Sequence, residues 1–432
     1  MTVILKGDWM HPTTFLRRGV AAIAAGAAAA AALVATTPAQ AQPAQVGYAA
    51  QAYGTYAFTS DRSLVSGPTA YTEMACGTKP GLVFRNHTAD VKVKGLGTIG
   101  ATVTEVRSIE SGNLRSSLAT SETAKANLLG GAITVDGITS STKVTWDGTQ
   151  FRTEQSATLA DLQILGVRIP LRPKPNTKIE LKLPGLGTVG AVELNKQYQK
   201  NSGTEFEAIT TALVVSLLPN NPWLPKAGTT LRVGNSKAVI TKPMSGYFKG
   251  QGFATRINAL DGMLSSGPTA LAKVRCLGGE TTNSIAALDI DGLLEGGAAR
   301  THAVGVTKGS VSTSRVVNDT AKLDLLDGAI TVEALRAVAQ AQRTGNGPVQ
   351  LSTEGTKFVG LKVQGQPVLD ADVAPNTKID LGIAQVTLNK VRKTATTVEV
   401  TMVEVVVQDD ILGLPTGSKI EIGRAYAGIN PQ

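Results

Sequence analysis

The sequence predicts an all-β protein built from two tandem, repeated β-sandwich-like domains. Three observations carry that reading. Ser66-Gly67-Pro68-Thr69-Ala70 recurs as Ser266-Gly267-Pro268-Thr269-Ala270, and Cys76 recurs as Cys276. Pro175-Asn176-Thr177-Lys178-Ile179-Glu180-Leu181 returns as Pro375-Asn376-Thr377-Lys378-Ile379-Asp380-Leu381, at the same offset of 200 residues. Self-similarity at a fixed offset marks a duplicated structural unit. Finally, aromatic residues make up only 4% of the chain while glycine alone numbers 46, so small and β-branched side chains must fill the cores. Closely packed sheets suit that composition.

In chain order, the first element is a leader. Arg17-Arg18 precedes an Ala-rich apolar run from Val20 to Ala35, followed by Ala39-Gln40-Ala41. A basic start, a short apolar centre and a small-x-small site make a secretory signal over residues 1–41, cleaved between Ala41 and Gln42. The run is too short, and Ala too weakly apolar, for a span of about 20 residues. Arg17-Arg18 also fits twin-arginine export, but the residues after Arg18 lack the bulky pair of that signal. Met10 is an alternative start. No later segment is apolar enough to cross a bilayer, so no membrane span is expected in the mature chain. No Cys sits near the cleavage site and no sorting motif closes the chain, which predicts a product released or held at a surface through partners.

Module one is expected over residues 42–242 and module two over 243–432, joined by the turn-forming Pro243-Met244-Ser245-Gly246. Ile179, Leu181 and Leu183 alternate with Lys178, Glu180 and Lys182, the period of a half-buried strand. Val91 and Val93 alternate with Lys92 and Lys94 in the same way. Val398-Glu399-Val400 and Val403-Glu404-Val405 repeat the pattern with a phase slip near Met402, read as a bulge. The segment from Ile330 to Gln340 looks helical alone, yet it shares Gly-Ala-Ile-Thr-Val with the β-forming segment at Gly131. Both copies are therefore read as strands. A β-solenoid is the architectural alternative, because Leu-Leu-Gly-Gly turns could also stack coils.

Motifs with chemical meaning are sparse. Gly95-Leu96-Gly97-Thr98-Ile99-Gly100 fits the dinucleotide fingerprint, which works only where the glycines open a helix. Here and at Gly185-Leu186-Gly187-Thr188-Val189-Gly190 a strand-like run follows, so both are read as hairpin turns and no cofactor is expected. Asp289-Ile290-Asp291-Gly292 lacks the later Glu of a calcium loop, and Asp370-Ala371-Asp372 is equally unsupported, so no metal is expected. Of three histidines, His87 and His302 remain after the leader and occupy non-equivalent positions, without zinc-ligand spacing or a nucleophile elbow. The formal charge is +9 for the whole chain. Without the leader the excess is mild and scattered, which argues against nucleic acid.

Cys76 and Cys276 are the sharpest pair. Export would place them in an oxidising compartment, where thiols bridge. Each module holds one Cys, so three fates are open: a bridge between the modules, a bridge between two chains, or buried thiols. An intramolecular bridge closing so long a loop would stabilise by about 4–5 kcal/mol in the chain-entropy model. Asn86-His87-Thr88 and Asn318-Asp319-Thr320 are sequons read as chance matches.

The Tyr53-Gly54 start, the Ser-Gly-Pro-Thr segments with a following Cys, and Leu128-Leu129-Gly130-Gly131-Ala132-Ile133-Thr134 resemble the choice-of-anchor P proteins of actinobacteria. The resemblance covers both modules and implies a secreted or surface β-rich protein without assigned catalytic residues. The function expected is a non-enzymatic structural or adhesive role outside the cell, with a cell-wall glycan or another surface protein as partner. The competing expectation is a polysaccharide-binding or hydrolytic module. It would show as a cleft lined by Trp146, Tyr53 or Tyr56, with two carboxylates about 5–10 Å apart.

Overall fold

The computed structural model describes residues 45–60, 67–93, 95–219, 221–223, 228–258, 265–290, 293–368, 373–410 and 414–431. The leader with Ala41 and Gln42, and the expected Asp291 and Asp370–Asp372 positions, lie outside them. Apart from one 3-10 turn at Leu129–Gly131, the described elements are all strands, and their ladders are antiparallel. The chain is therefore all-β and sandwich-like. Stacked coils would need parallel neighbours, so the solenoid alternative is set aside.

Residues 48–241 form one set of sheets and residues 246–431 another. The first set has a six-stranded sheet in the order 177–183, 187–201, 205–217, 229–241, 48–59, 72–77. A five-stranded sheet faces it, in the order 151–160, 137–146, 114–123, 102–111, 83–88, and a smaller sheet of short strands continues that layer. The second set has a seven-stranded sheet running 265–266, 246–258, 419–431, 397–407, 384–393, 377–380, with 272–273 also paired to 246–258. Its opposing layer is a single ten-stranded sheet. The difference is local. Val311–Leu325 and Ile330–Thr344 run unbroken where the first module divides into Leu114–Thr123 with Ala126–Leu128, and Ile133–Val135 with Gly137–Trp146. Asp136-Gly137 interrupts the last of these, whereas Glu333-Ala334 at the equivalent place does not. The helical-looking segment is thus a long strand. Its ladder to Val311–Leu325 outweighs the helix preference of its alanines.

The six-stranded sheet of the first module and the seven-stranded sheet of the second are each creased along one line. In the first, Asn195, Ala212, Gly234 and Gly54 stand side by side on adjacent strands; Asn195 and Gly234 take φ of 49° and 65°. In the second the line is Asn389, Met402, Gly423 and Ala254, with φ of 48° at Asn389 and 62° at Gly423. Left-handed backbone is tolerated best by Gly and Asn. The strand register continues unchanged on both sides of Met402, yet Met402 and Val403 are both buried. This corrects the bulge expected there. No residue is inserted; the phase slip comes from bending the sheet at residues of positive φ.

The repeated motifs brace this crease. Thr69 accepts from Gly54 N through its carbonyl (2.8 Å), and Thr55 and Thr69 share a hydroxyl bond of 2.8 Å. In the copy, Ala254 N donates to Thr269 O at 2.9 Å, and Thr255 and Thr269 meet at 2.7 Å. At the far end, Asn195 Nδ2 donates to Pro173 O and Asn389 Nδ2 to Val373 O, each at 3.0 Å. Asn176 and Asn376 N–H groups donate to the carbonyls of the same two crease residues. The sequence landmarks survive in both copies because they hold one bend.

A Cβ added at Gly423 would lie 2.6 Å from Leu335 Cδ1 and 3.1 Å from Met402 Cγ, whereas one at Gly382 would meet nothing within 4 Å. Both glycines have positive φ, so Gly382→Ala carries conformational strain alone, about 1 kcal/mol. Gly423→Ala adds overpacking and is expected to cost about 2–4 kcal/mol. Urea unfolding of the two variants checks the difference.

Candidate functional site

The residues most closely set apart by position and chemistry lie where the two modules meet. Cys76 and Cys276 form a disulfide, with Cα atoms 5.4 Å apart. Of the three fates open to them, the structure takes the bridge between modules. Cys76 follows a one-residue slip in pairing between Ala50–Met74 and Tyr48–Gly77, an irregularity that re-aims the end of the Thr72–Gly77 edge strand. The sulfurs sit in a small apolar cluster with Met244, Tyr247 and Ala49.

Beside the bridge lies a half-buried charge network. Glu73 pairs with Lys273 at 2.8 Å and accepts from the Tyr71 hydroxyl at 2.9 Å. Lys273 Nζ also donates to Gln51 Oε1 at 2.8 Å. The Gln251 amide nitrogen donates to Glu73 at 2.8 Å, while its oxygen accepts from Arg424 Nη1 at 2.9 Å. Arg275 pairs with Glu205, and Glu207 is shared between Lys237 (2.9 Å) and Arg275 (3.6 Å). Burial, then the adjacent Glu73 carboxylate, push the Tyr71 phenol well above its usual range, so it stays a donor. Burial pulls the Lys273 ammonium down, and Glu73 opposes that pull.

The network has a symmetry visible in its numbering. Cys76 meets Cys276, and Glu73 meets Lys273. Gln51 reaches Lys273, while Gln251 reaches Glu73. Equivalent residues touch each other only on an axis relating the copies, and reciprocal contacts surround such an axis. The modules are therefore related here by a pseudo-twofold. Gly267 N donates to Pro68 O at 2.7 Å across the same seam.

Next to the network is a groove of about 240 Å³, lined in part by Tyr53, Tyr56, Tyr71, Arg232, Pro268 and Asn283. Of the two tyrosines expected to mark a cleft, Tyr56 lines it half-buried, while Tyr53 lies at its floor and is only 6% exposed. Trp146 does not line it: it is buried in the first module's core, its ring tilted against Phe151 at 4.8 Å. Among the described residues, no carboxylate lines the groove. Elsewhere, Glu404 and Glu421 stand directly opposite on paired strands. Burial raises both carboxyls, but Lys390 and Lys419 around Glu404, and Arg256, Lys419 and Arg424 around Glu421, hold them below the usual range. Both carboxylates are thus tied into an ion-pair network with Lys390, Lys419 and Arg256. A wider groove of about 670 Å³ crosses the second module's outer sheet over Ala321, Ala334 and Leu335, flanked by Arg300, Arg336 and Lys357.

The remaining sequence candidates fall apart in space. His87 is exposed on the Val83–Thr88 edge strand, and His302 bonds Glu280 at 2.9 Å. The glycine fingerprint forms the Val91–Val93 and Gly97–Ile99 hairpin, and its second copy joins Thr177–Leu183 to Gly187–Asn201. Asp289 lies in another hairpin, opposite Glu295. Among the described residues no cluster of three metal-ligating side chains occurs. Trp223 packs partly buried against the first core. The sequon Asn318 is fully buried and donates to Thr301, and Asn86 donates to Tyr71 O, so both amides are engaged within the fold.

Compared with known proteins, the chain matches no family model and no curated protein. Sequence reasoning found the cysteines and two of the groove tyrosines. It missed the Glu73–Lys273 contact, although opposite charges 200 positions apart on the same repeat were there to be read.

Replacing both cysteines by serine removes a cross-link spanning 200 residues. The expected cost is about 2–5 kcal/mol, because the unfolded chain regains loop entropy. Chemical unfolding of the double variant against the oxidised parent checks it.

Proposed function

We propose that the protein is an exported, non-enzymatic structural or adhesive component of the cell surface, acting as one firmly coupled pair of β-sandwiches. The observation that carries this reading is the Cys76–Cys276 bridge on the pseudo-twofold. Such a bond persists in oxidising surroundings, in keeping with a secretory leader over residues 1–41. Around it, the charged contacts and apolar cluster couple the modules, as suits a part that bears or transmits load. Resemblance to the choice-of-anchor P proteins points the same way.

A second reading rests on the seam groove. Tyr56 and Tyr71, half-buried beside Arg232 and Asn283, offer ring edges and hydrogen-bonding groups of the kind that hold a glycan. A cell-wall glycan held there would make the protein a linker between wall polymer and another surface protein.

Fractionation of producing cells tests the main reading. Thiol alkylation before and after reduction should show protein outside the cytosol with both cysteines bridged and an N-terminus at Gln42. Cytosolic protein with free thiols would contradict it. Saturable retention on purified wall glycan, lost in Tyr56→Ala or Tyr71→Ala, would favour the second reading.

A further inference from the structure

The duplication supplies an internal control for surfaces as well as motifs, and one end of module one departs from its copy. Leu165 has φ of 50° and donates from its N–H to Ala132 O at 2.8 Å; Gln364 has φ of 48° and donates to Ala329 O at 2.8 Å. The two tips share one backbone. Leu165 and Val167 are 39% and 63% exposed, where the copy carries Gln364 and Gln366. Leu218 N donates to Val189 O, as Gln408 N does to Ile383 O, so Leu218, 49% exposed, also stands where the copy has Gln. Leu186, at the tip of the adjoining hairpin, is 59% exposed.

These tips share one end of the sandwich. Ile138 packs on Gly234 at the crease, and Trp146 lies toward Phe206, which pairs with Ile240. The strand layer before Ile138, carrying Ile133 and the paired Ile164, therefore covers the opposite end, where Leu217 pairs with Thr229. Cations follow the apolar tip: Arg168, then Arg172 and Lys174 on the same connection, all exposed. None of the three forms an ion pair with another described residue. The copy has Pro367 at the place of Arg168 and Ala374 at that of Lys174.

We propose that this end of module one docks on the surface of an anionic lipid bilayer. Leu165, Val167, Leu186 and Leu218 enter the boundary between headgroups and acyl chains, and Arg168, Arg172 and Lys174 pair with headgroup phosphates. The chemistry favours lipid over glycan, because exposed aliphatic tips gain nothing from a hydroxyl-rich polymer. Aliphatic contact joined to unpaired cations is what binds a peripheral protein to an anionic membrane. The inference rests on the proposed export only for its biological setting; vesicle binding stands or falls without the fractionation result.

The oxidised chain lacking residues 1–41 is sedimented with vesicles of phosphatidylcholine alone, or of phosphatidylcholine mixed with phosphatidylglycerol. Binding should be at least about tenfold stronger to the anionic vesicles and should weaken as salt rises. Leu165→Gln with Val167→Gln and Leu218→Gln installs the residues the copy already carries, so the fold is retained, as an unchanged thermal midpoint would confirm. That variant should lose about tenfold or more of the binding. Arg168→Pro is avoided for its backbone effect; Arg168→Gln with Lys174→Ala should abolish the preference for anionic lipid. Equal binding to both vesicles, full binding by the Gln variant, or retention on wall glycan through these same residues would overturn the proposal. Capture of a protein partner through the tip in the absence of vesicle binding would overturn it as well.

Discussion

The fold's long-range order depends on a constraint peculiar to twofold symmetry: a residue on the axis meets its own counterpart. In a dimer of identical chains that rule sets like against like. Two copies of Glu73 would repel, and two of Lys273 would do the same. Joining the copies in one chain lets the positions diverge, so Glu73 faces Lys273 at 2.8 Å. The cysteines follow the opposite logic, since a disulfide needs the same residue on both sides. Identity is kept where chemistry wants identity, and charge is split where electrostatics wants opposites. Partial burial sharpens the effect, because removing one partner leaves the other charge desolvated and unpaired.

Away from the axis, the same sequence landmarks serve the interior of each module. Asn195 and Gly234, with Asn389 and Gly423, bend the six-stranded and seven-stranded sheets so that each can cover its opposing layer. The bend exposes backbone groups that a flat sheet would pair. Thr69, Thr269, Asn176 and Asn376 satisfy them, which is why Ser-Gly-Pro-Thr-Ala and Pro-Asn-Thr-Lys-Ile are the strings that recur. Small side chains complete the scheme: Ala212, Ala254 and Ala339 are fully buried and admit close sheet approach. Few aromatics are needed in such a core.

Strand content, the duplication and the hairpin glycines were legible because they depend on local periodicity and on comparison between copies. The crease was only half legible. Burial of both Met402 and Val403 broke the alternation, but the cause lay on neighbouring strands at Asn389 and Gly423. The Cys76–Cys276 pairing could be posed from sequence but not chosen, since spacing does not say which faces meet. Tyr56 lines the groove while Tyr53 lies buried at its floor, and the Trp146 ring fills the core beside Phe151 and Phe206, the place an isolated Trp in so aromatic-poor a chain is expected to take. Whether an aromatic lines a groove or a core depends on tertiary packing that one strand's pattern does not encode. The apolar tip of module one became legible only when aligned backbones showed Leu165 and Gln364 in the same conformation.

The central claim is that residues 73 and 273 oppose each other on the axis, so their charges should be exchangeable as a pair. Unfolding free energies of Glu73→Lys, Lys273→Glu and the double exchange, with the disulfide intact, test this most directly. Each single change is expected to cost about 1–3 kcal/mol, and the double exchange should recover most of the loss. If the losses simply add in the double variant, the two side chains do not face each other and the pseudo-twofold seam is wrong.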